Sequence, residues 1–279
     1  MTEHSCRRFS LLLSVVLVAG IVSGCSSTDK FADDLIEPEP ADLTYNQGLA
    51  LMNAGDVSAA RKKFEAVNEQ HPYSEYARRS LIMSAYLNFK RGEYQDAIND
   101  GRRYVTLFPA SKDAAYAQYI VGESYFRQIP DVTRDQELSE KAILAMSEVV
   151  QKYPNSEYAD DARQKVQIAR DQIAGKDMQI GRYYLERKEY LAAINRFKTV
   201  VTAYQTTRHV EEALHRLTEA YLALGIVPEA QTSAAVLGHN FPDSQWYQYS
   251  YQLLQKGGVE PRENQGSWIS RAFRGVVGA

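Results

Sequence analysis

A string of an aromatic residue, proline, any residue and serine recurs along this chain. It appears as Phe108-Pro109-Ala110-Ser111, Tyr153-Pro154-Asn155-Ser156 and Phe241-Pro242-Asp243-Ser244. His71-Pro72-Tyr73-Ser74 is a variant, and Tyr204-Gln205-Thr206-Thr207 a degenerate copy. An alanine stands 12 residues before each proline or its equivalent, at Ala60, Ala97, Ala142, Ala193 and Ala230. Five residues before most of these comes a turn signal: Gly55, Gly92 and Gly225, with Lys188 in the fourth copy. Seven further back lies a small residue, Gly48, Ala85, Gly181 or Thr218. A fixed period of this size marks stacked repeats, each too small to bury its apolar face alone.

Each element has a physical reason. A glycine ends a helix by turning left-handed, a conformation that side chains resist. The small residues let two antiparallel helices approach closely. Proline closes the second helix, because its ring blocks a further turn. The serine or threonine two residues on is expected to cap the next helix, with Glu75, Asp113 and Glu157 near its positive end. Phe64 and Val67, or Ile98, Tyr104 and Val105, fall on one helix face, and no stretch alternates as a strand does. The unit is a helix-turn-helix of 34–37 residues, with 37 from Pro72 to Pro109.

This unit resembles the tetratricopeptide repeat. The resemblance implies an all-α fold, an α-solenoid of five repeats with first helices on a concave wall that holds other polypeptides. Repeats one to three occupy 42–156, an expected client-binding half. Repeats four and five with a cap helix occupy 157–256, an expected partner-docking half. Two longer intervals place insertions: a loop at Gln128–Glu137 and a lengthened first helix at about Glu157–Arg187, read as the joint between the halves. The segment 257–279 is expected to be a flexible tail. Within it Trp268, Ile269, Ala272, Phe273, Val276 and Val277 recur at helical spacing, suited to a partner, a membrane surface or the last repeat.

Counting from the small mid-helix residue places Tyr45, Asn53, Arg79, Tyr86, Lys90, Tyr116, Tyr119, Glu123, Phe126 and Arg127 on the concave wall. Aromatic rings interleaved with cations suit an extended peptide with aromatic side chains and a free carboxylate. The alternative is that the tyrosines pack between helices and the charges solvate a face. No catalytic constellation, cofactor or metal site is expected. His71, His209, His215 and His239 have no ligand spacing, and no G-x-S-x-G or phosphate-binding glycine loop occurs. The pairs Asp160-Asp161 and Glu211-Glu212 are explained by helix dipoles. With 32 basic and 35 acidic residues, nucleic acid is not an expected partner.

At the other end, Arg7-Arg8 precedes a 14-residue apolar run, Phe9 to Val22, and then Ser23-Gly24-Cys25. This is a signal peptide over 1–24, too short for a permanent span of ~20 apolar residues. Its small-small-cysteine ending resembles the lipobox of bacterial lipoproteins. That implies diacylglycerol and a fatty acid on Cys25, followed by a lipidated linker over 25–41. Several acyl chains, at ~0.8 kcal/mol per buried CH₂, hold a protein on a membrane durably. The resemblance also makes Ser26 favour the outer membrane.

The chain as a whole resembles the BamD family of the outer-membrane β-barrel assembly machinery. The lipobox, the acidic-proline linker from Asp33 to Asp42 and the loop Asp131-Val132-Thr133-Arg134-Asp135 carry the likeness. So do Tyr153-Pro154-Asn155-Ser156-Glu157-Tyr158, Gly181-Arg182-Tyr183-Tyr184-Leu185-Glu186-Arg187 and Asn195-Arg196. The loop around His71 is shorter than in enterobacterial members, and the Trp268 tail is extra. The resemblance implies a non-catalytic scaffold, lipid-anchored on the periplasmic face of the outer membrane beside other assembly-complex subunits. It implies docking on a POTRA domain of the barrel-forming subunit BamA through Arg196. It also implies capture of unfolded outer-membrane β-barrel precursors by repeats one to three. A tetratricopeptide lipoprotein adaptor for periplasmic cell-wall or division enzymes is the other reading.

Overall fold

The computed structural model describes residues 38–274. The signal sequence, Cys25 and most of the linker lie outside these residues, as do Val276 and Val277. Helices pair in chain order: α1 (Ala41–Asn53) with α2 (Val57–Gln70), α3 (Glu75–Arg91) with α4 (Tyr94–Leu107), and α5 (Ala114–Phe126) with α6 (Glu137–Lys152). Then come α7 (Ala159–Glu186) with α8 (Tyr190–Ala203), and α9 (Val210–Ala223) with α10 (Val227–Asn240). The cap helix α11 (Gln245–Lys256) and a short α12 (Trp268–Arg274) follow. No strand occurs among the described residues. None of their helices is long and apolar enough to cross a membrane. The fold is an all-α solenoid of five tetratricopeptide-like repeats.

The repeat signals do what their chemistry dictates. Gly55, Gly92 and Gly225 turn at φ 84°, 80° and 74°, and Lys188 takes the same left-handed corner at φ 63°. Lys188 is the only non-glycine residue with positive φ among the described residues, a strain that side chains rarely bear. The five repeat alanines are at most 1% exposed. Opposite Gly48 and Gly181 lie the rings of Phe64 and Phe197, both fully buried; a Cβ on Gly181 would stand 2.4 Å from Phe197 Cε1.

Two serine caps form and two do not. Ser74 accepts from the Ala77 amide at 3.0 Å, and Ser244 accepts from Trp246 at 3.2 Å. Ser111 and Ser156 sit in the same tight turn as Ser74 and Ser244, with their amides on the Phe108 and Tyr153 carbonyls, but α5 and α7 start three residues after them. The Ser111 hydroxyl accepts from the Asp113 amide at 3.3 Å, one residue before α5 begins, and is shared with Tyr104 at 2.8 Å.

First helices touch the first helices of neighbouring repeats, whereas no second helix touches the next. The first helices therefore form the inner wall. The 28-residue α7 spans both halves. Its start packs Ala162 against Met146 and Val149, and its end places Met178 and Leu185 in the core with Phe197. The 127–136 loop is fixed on the same helix, where Gln172 donates to the Pro130 carbonyl at 2.9 Å.

The segment after Gly257, expected to be flexible, packs on the outer side of repeats four and five. Ile269 is fully buried and Phe273 is 6% exposed, its ring edge-on to Phe241. Trp268 donates to the Tyr221 hydroxyl at 3.1 Å, and Gln205 donates to the Ala272 carbonyl at 2.8 Å. Asn264 donates its amide to Thr232 at 3.2 Å. The apolar stripe has found a face of its own chain.

One partly buried carboxyl gives the N-terminal half a pH signature. Asp100 accepts from Asn88 at 2.9 Å, and burial pushes it up to about 6, with Glu65 and Asp96 acting in the same direction. Between the ordinary aspartate range and about 6, the folded chain holds a proton that the unfolded chain lacks. Stability therefore falls as pH rises through that window. Asp100→Asn is expected to stabilise the chain by about 1 kcal/mol at pH 7.5, after allowing for partial exposure, with the gain gone near pH 4. Melting curves at the two pH values check this.

Candidate functional site

The inner wall of repeats one to three carries a continuous line of tyrosines. It begins on α1, where Tyr45 sits 5.5 Å from both Phe64 and Tyr76. Arg79 lies over the Tyr76 ring at 5.6 Å and pairs with Glu75 at 2.6 Å. Tyr45 and Tyr86 share the apolar cluster of Phe64 and Leu87. Tyr86 and Tyr116 share the next one, around Ala85 and Ile120. Tyr116, Tyr158 and Tyr119 then stack in series, with centroids 5.2 and 5.1 Å apart. Burial pushes Tyr116 up to about 12, and Tyr158 likewise, so both hydroxyls stay protonated donors.

The line ends in a charged knot. Lys165 on α7 hydrogen-bonds the Tyr119 hydroxyl at 2.6 Å, pairs with Asp161 and approaches Glu123 at 2.8 Å. The last contact is an ion pair not aligned as a hydrogen bond. Tyr119 donates to Asp161 at 2.5 Å, and Glu123 accepts from Arg127 at 2.7 Å. Glu123 is only 6% exposed. Burial works against the charge of Lys165, but its bonds to Asp161, Glu123 and Tyr119 outweigh that and raise its pKa. At Asp161 burial acts upward, and Lys165 and Tyr119 more than reverse it.

The structure thus brings together Tyr45, Tyr86, Tyr116 and Tyr119, as expected, but sorts the cations. Arg79, Arg127 and Lys165 each have a carboxylate partner, whereas Lys90 has none among the described residues. Lys90 is exposed and its ammonium lies over the Tyr86 ring at 5.9 Å. It is the cation left to meet an incoming carboxylate. Asp161 lies in the first turn of α7, where it faces the helix dipole, and it also pairs with Lys165. Tyr158 and Lys165 were not expected at the site. Both stand on or beside α7, at positions that the lengthened fourth repeat moves out of register.

Arg196 stands apart, on the outer helix α8. Its guanidinium donates to Asp177 at 3.2 Å and its side chain is 46% exposed, beside a cleft formed with Tyr184, Ala192, Asn195 and Thr199. Leu191 and Tyr183 are exposed on the same half. No three histidine, cysteine, aspartate or glutamate side chains among the described residues are grouped to hold a metal ion.

Residues 38–237 match the family described as YfiO, outer membrane lipoprotein. The chain is 45% identical over 254 residues to the outer membrane protein assembly factor BamD of Caulobacter vibrioides, covering 91% of this chain and 83% of that one. It is 38% identical to BamD of Rickettsia prowazekii over 248 residues, covering 89% and 98%. BamD of a serogroup A Neisseria meningitidis is 30% identical over 256 residues, covering 88% and 96%. The family match and relatives that cover about nine-tenths of the chain, together with the five helical pairs, place the chain in the BamD family of outer membrane lipoproteins, the outer membrane protein assembly factors.

Proposed function

We propose that this chain is a non-catalytic scaffold held by acyl chains on Cys25 at the periplasmic face of the outer membrane. Its inner groove receives unfolded β-barrel precursors by a C-terminal aromatic segment. The outer side of its C-terminal half, Arg196 included, docks on a POTRA domain of a BamA-type insertase. The observation that carries this reading is the tyrosine line with one unpaired cation. Tyrosine faces accept aromatic and aliphatic side chains at low entropic cost. Lys90 supplies a charge-assisted bond to a terminal carboxylate. The lipid tether keeps the effective concentration of groove and insertase high. No step requires turnover, and barrel folding itself supplies the free energy.

Docking is tested by purification from native membranes. The unmodified chain is expected to copurify with a barrel-forming insertase, and Arg196→Glu to lower the recovered insertase about tenfold with the melting temperature unchanged. Recovery of murein hydrolases without an insertase would reject the assembly role in favour of a cell-wall adaptor. Unchanged recovery with Arg196→Glu would remove that residue from the interface.

A further inference from the structure

The self-docked segment reveals what an outer groove of this solenoid can hold. Helix α12 lies across the second helices of repeats four and five, α8 and α10. Lys198 stands seven residues before Gln205 and covers the Trp268 ring at 5.2 Å. Thr232, ten residues before Pro242, accepts the Asn264 amide.

The same register exists one half earlier, across α4 and α6. Arg102 stands seven residues before Pro109, and Leu144 ten before Pro154. The two grooves are also tied internally at matching positions. Gln118 donates to the Ala145 carbonyl at 3.1 Å, where Ser233 donates to the Leu214 carbonyl at 2.6 Å. Yet no described element lies over α4 and α6, and Leu144 is 67% exposed. A cleft of about 360 Å³ runs there, with Arg102, Lys141 and Lys152 against the single carboxylate of Glu148.

We propose that the outer groove across α4 and α6 docks an amphipathic helix of a partner protein, apolar toward Leu144 and acidic on its flanks. Arg102 stacks over the Tyr125 ring of the neighbouring α5 at 5.7 Å, which holds its guanidinium at the edge of the cleft. Lys141 and Lys152 pair only with the exposed Glu137 and Glu148 one turn earlier, at 2.7 and 2.8 Å. Such surface pairs are weak and yield to a competing carboxylate. A second copy's α12 is the wrong occupant, because it brings Arg271 and Arg274 to a cationic groove. This inference does not depend on the inner groove.

The test places a photoreactive residue at position 144 of the full chain in its native membrane, with position 168 as an exposed control. The expected product links position 144 to a segment of another protein that has apolar residues at helical spacing and net negative charge. Arg102→Glu with Lys152→Glu should cut that yield at least tenfold, while the melting temperature and the position-168 products stay unchanged. Products formed only with a second copy or with lipid would overturn the proposal. So would an absence of product at position 144, a linked segment without acidic residues, or a yield indifferent to the charge reversal.

Discussion

Phe197→Ala is expected to destabilise the C-terminal half by about 3–5 kcal/mol, the usual cost of removing a fully buried ring. Phe197 is 0% exposed and fills the space that Gly181 leaves on α7. Its cluster also holds Met178, Leu217 and Ile269, and so joins α7 to α12. Repeat proteins distribute stability through neighbouring interfaces. Urea unfolding should therefore show repeats four and five melting before repeats one to three. Gly181→Ala is destabilising alone, since its Cβ would sit 2.4 Å from the ring, at a cost of about 1–3 kcal/mol. Combined with Phe197→Ala it should cost far less than the sum, because the methyl then enters the vacated space. Additive costs would show that the two residues are not the packed pair described.

Lys165→Met is the second large effect. It leaves Glu123, 6% exposed, with Arg127 alone, and deprives Asp161 and Tyr119 of their common partner. Removing one member of a buried ion pair typically costs about 3–5 kcal/mol; the partly exposed Asp161 and the remaining Arg127 bond put this case near the lower end. The double variant Lys165→Met with Glu123→Gln should recover most of the loss, because no buried charge is then stranded. Chemical denaturation of the two variants and the parent decides the matter. A double variant no more stable than Lys165→Met would show that the loss is one of packing, not of charge.

The helical pairs were legible because turn glycines, repeat alanines and closing prolines each act within a few residues of themselves. The third repeat hid its small residue. Gly122 faces Met146 as Gly48 faces Phe64, but the 127–136 loop breaks the spacing that identifies its counterparts. Tyr45 and Tyr86 could be counted onto the inner wall because they share helical register with Gly48 and Ala85. Tyr158 and Lys165 could not, since they reach the groove from α7, which belongs to two halves at once. Partner choice among charges was only partly visible. Glu123 and Arg127 stand four residues apart on one helix, a pairing that local spacing offers, but nothing local brings Lys165 to Glu123 from another helix. Trp268, Ile269 and Phe273 announced an apolar stripe, but only the folded chain shows that α8 and α10 cover it.

On the proposed function, Lys90 and the tyrosine line read a free carboxylate that follows an aromatic side chain. Its most direct test compares binding of one short peptide with a C-terminal phenylalanine, as the free acid and as the amide, by fluorescence anisotropy on the purified chain. The acid is expected to bind about tenfold tighter, a difference of about 1.4 kcal/mol, and Lys90→Glu to erase the preference without altering the melting temperature. Equal affinity of acid and amide for the unmodified chain would contradict it.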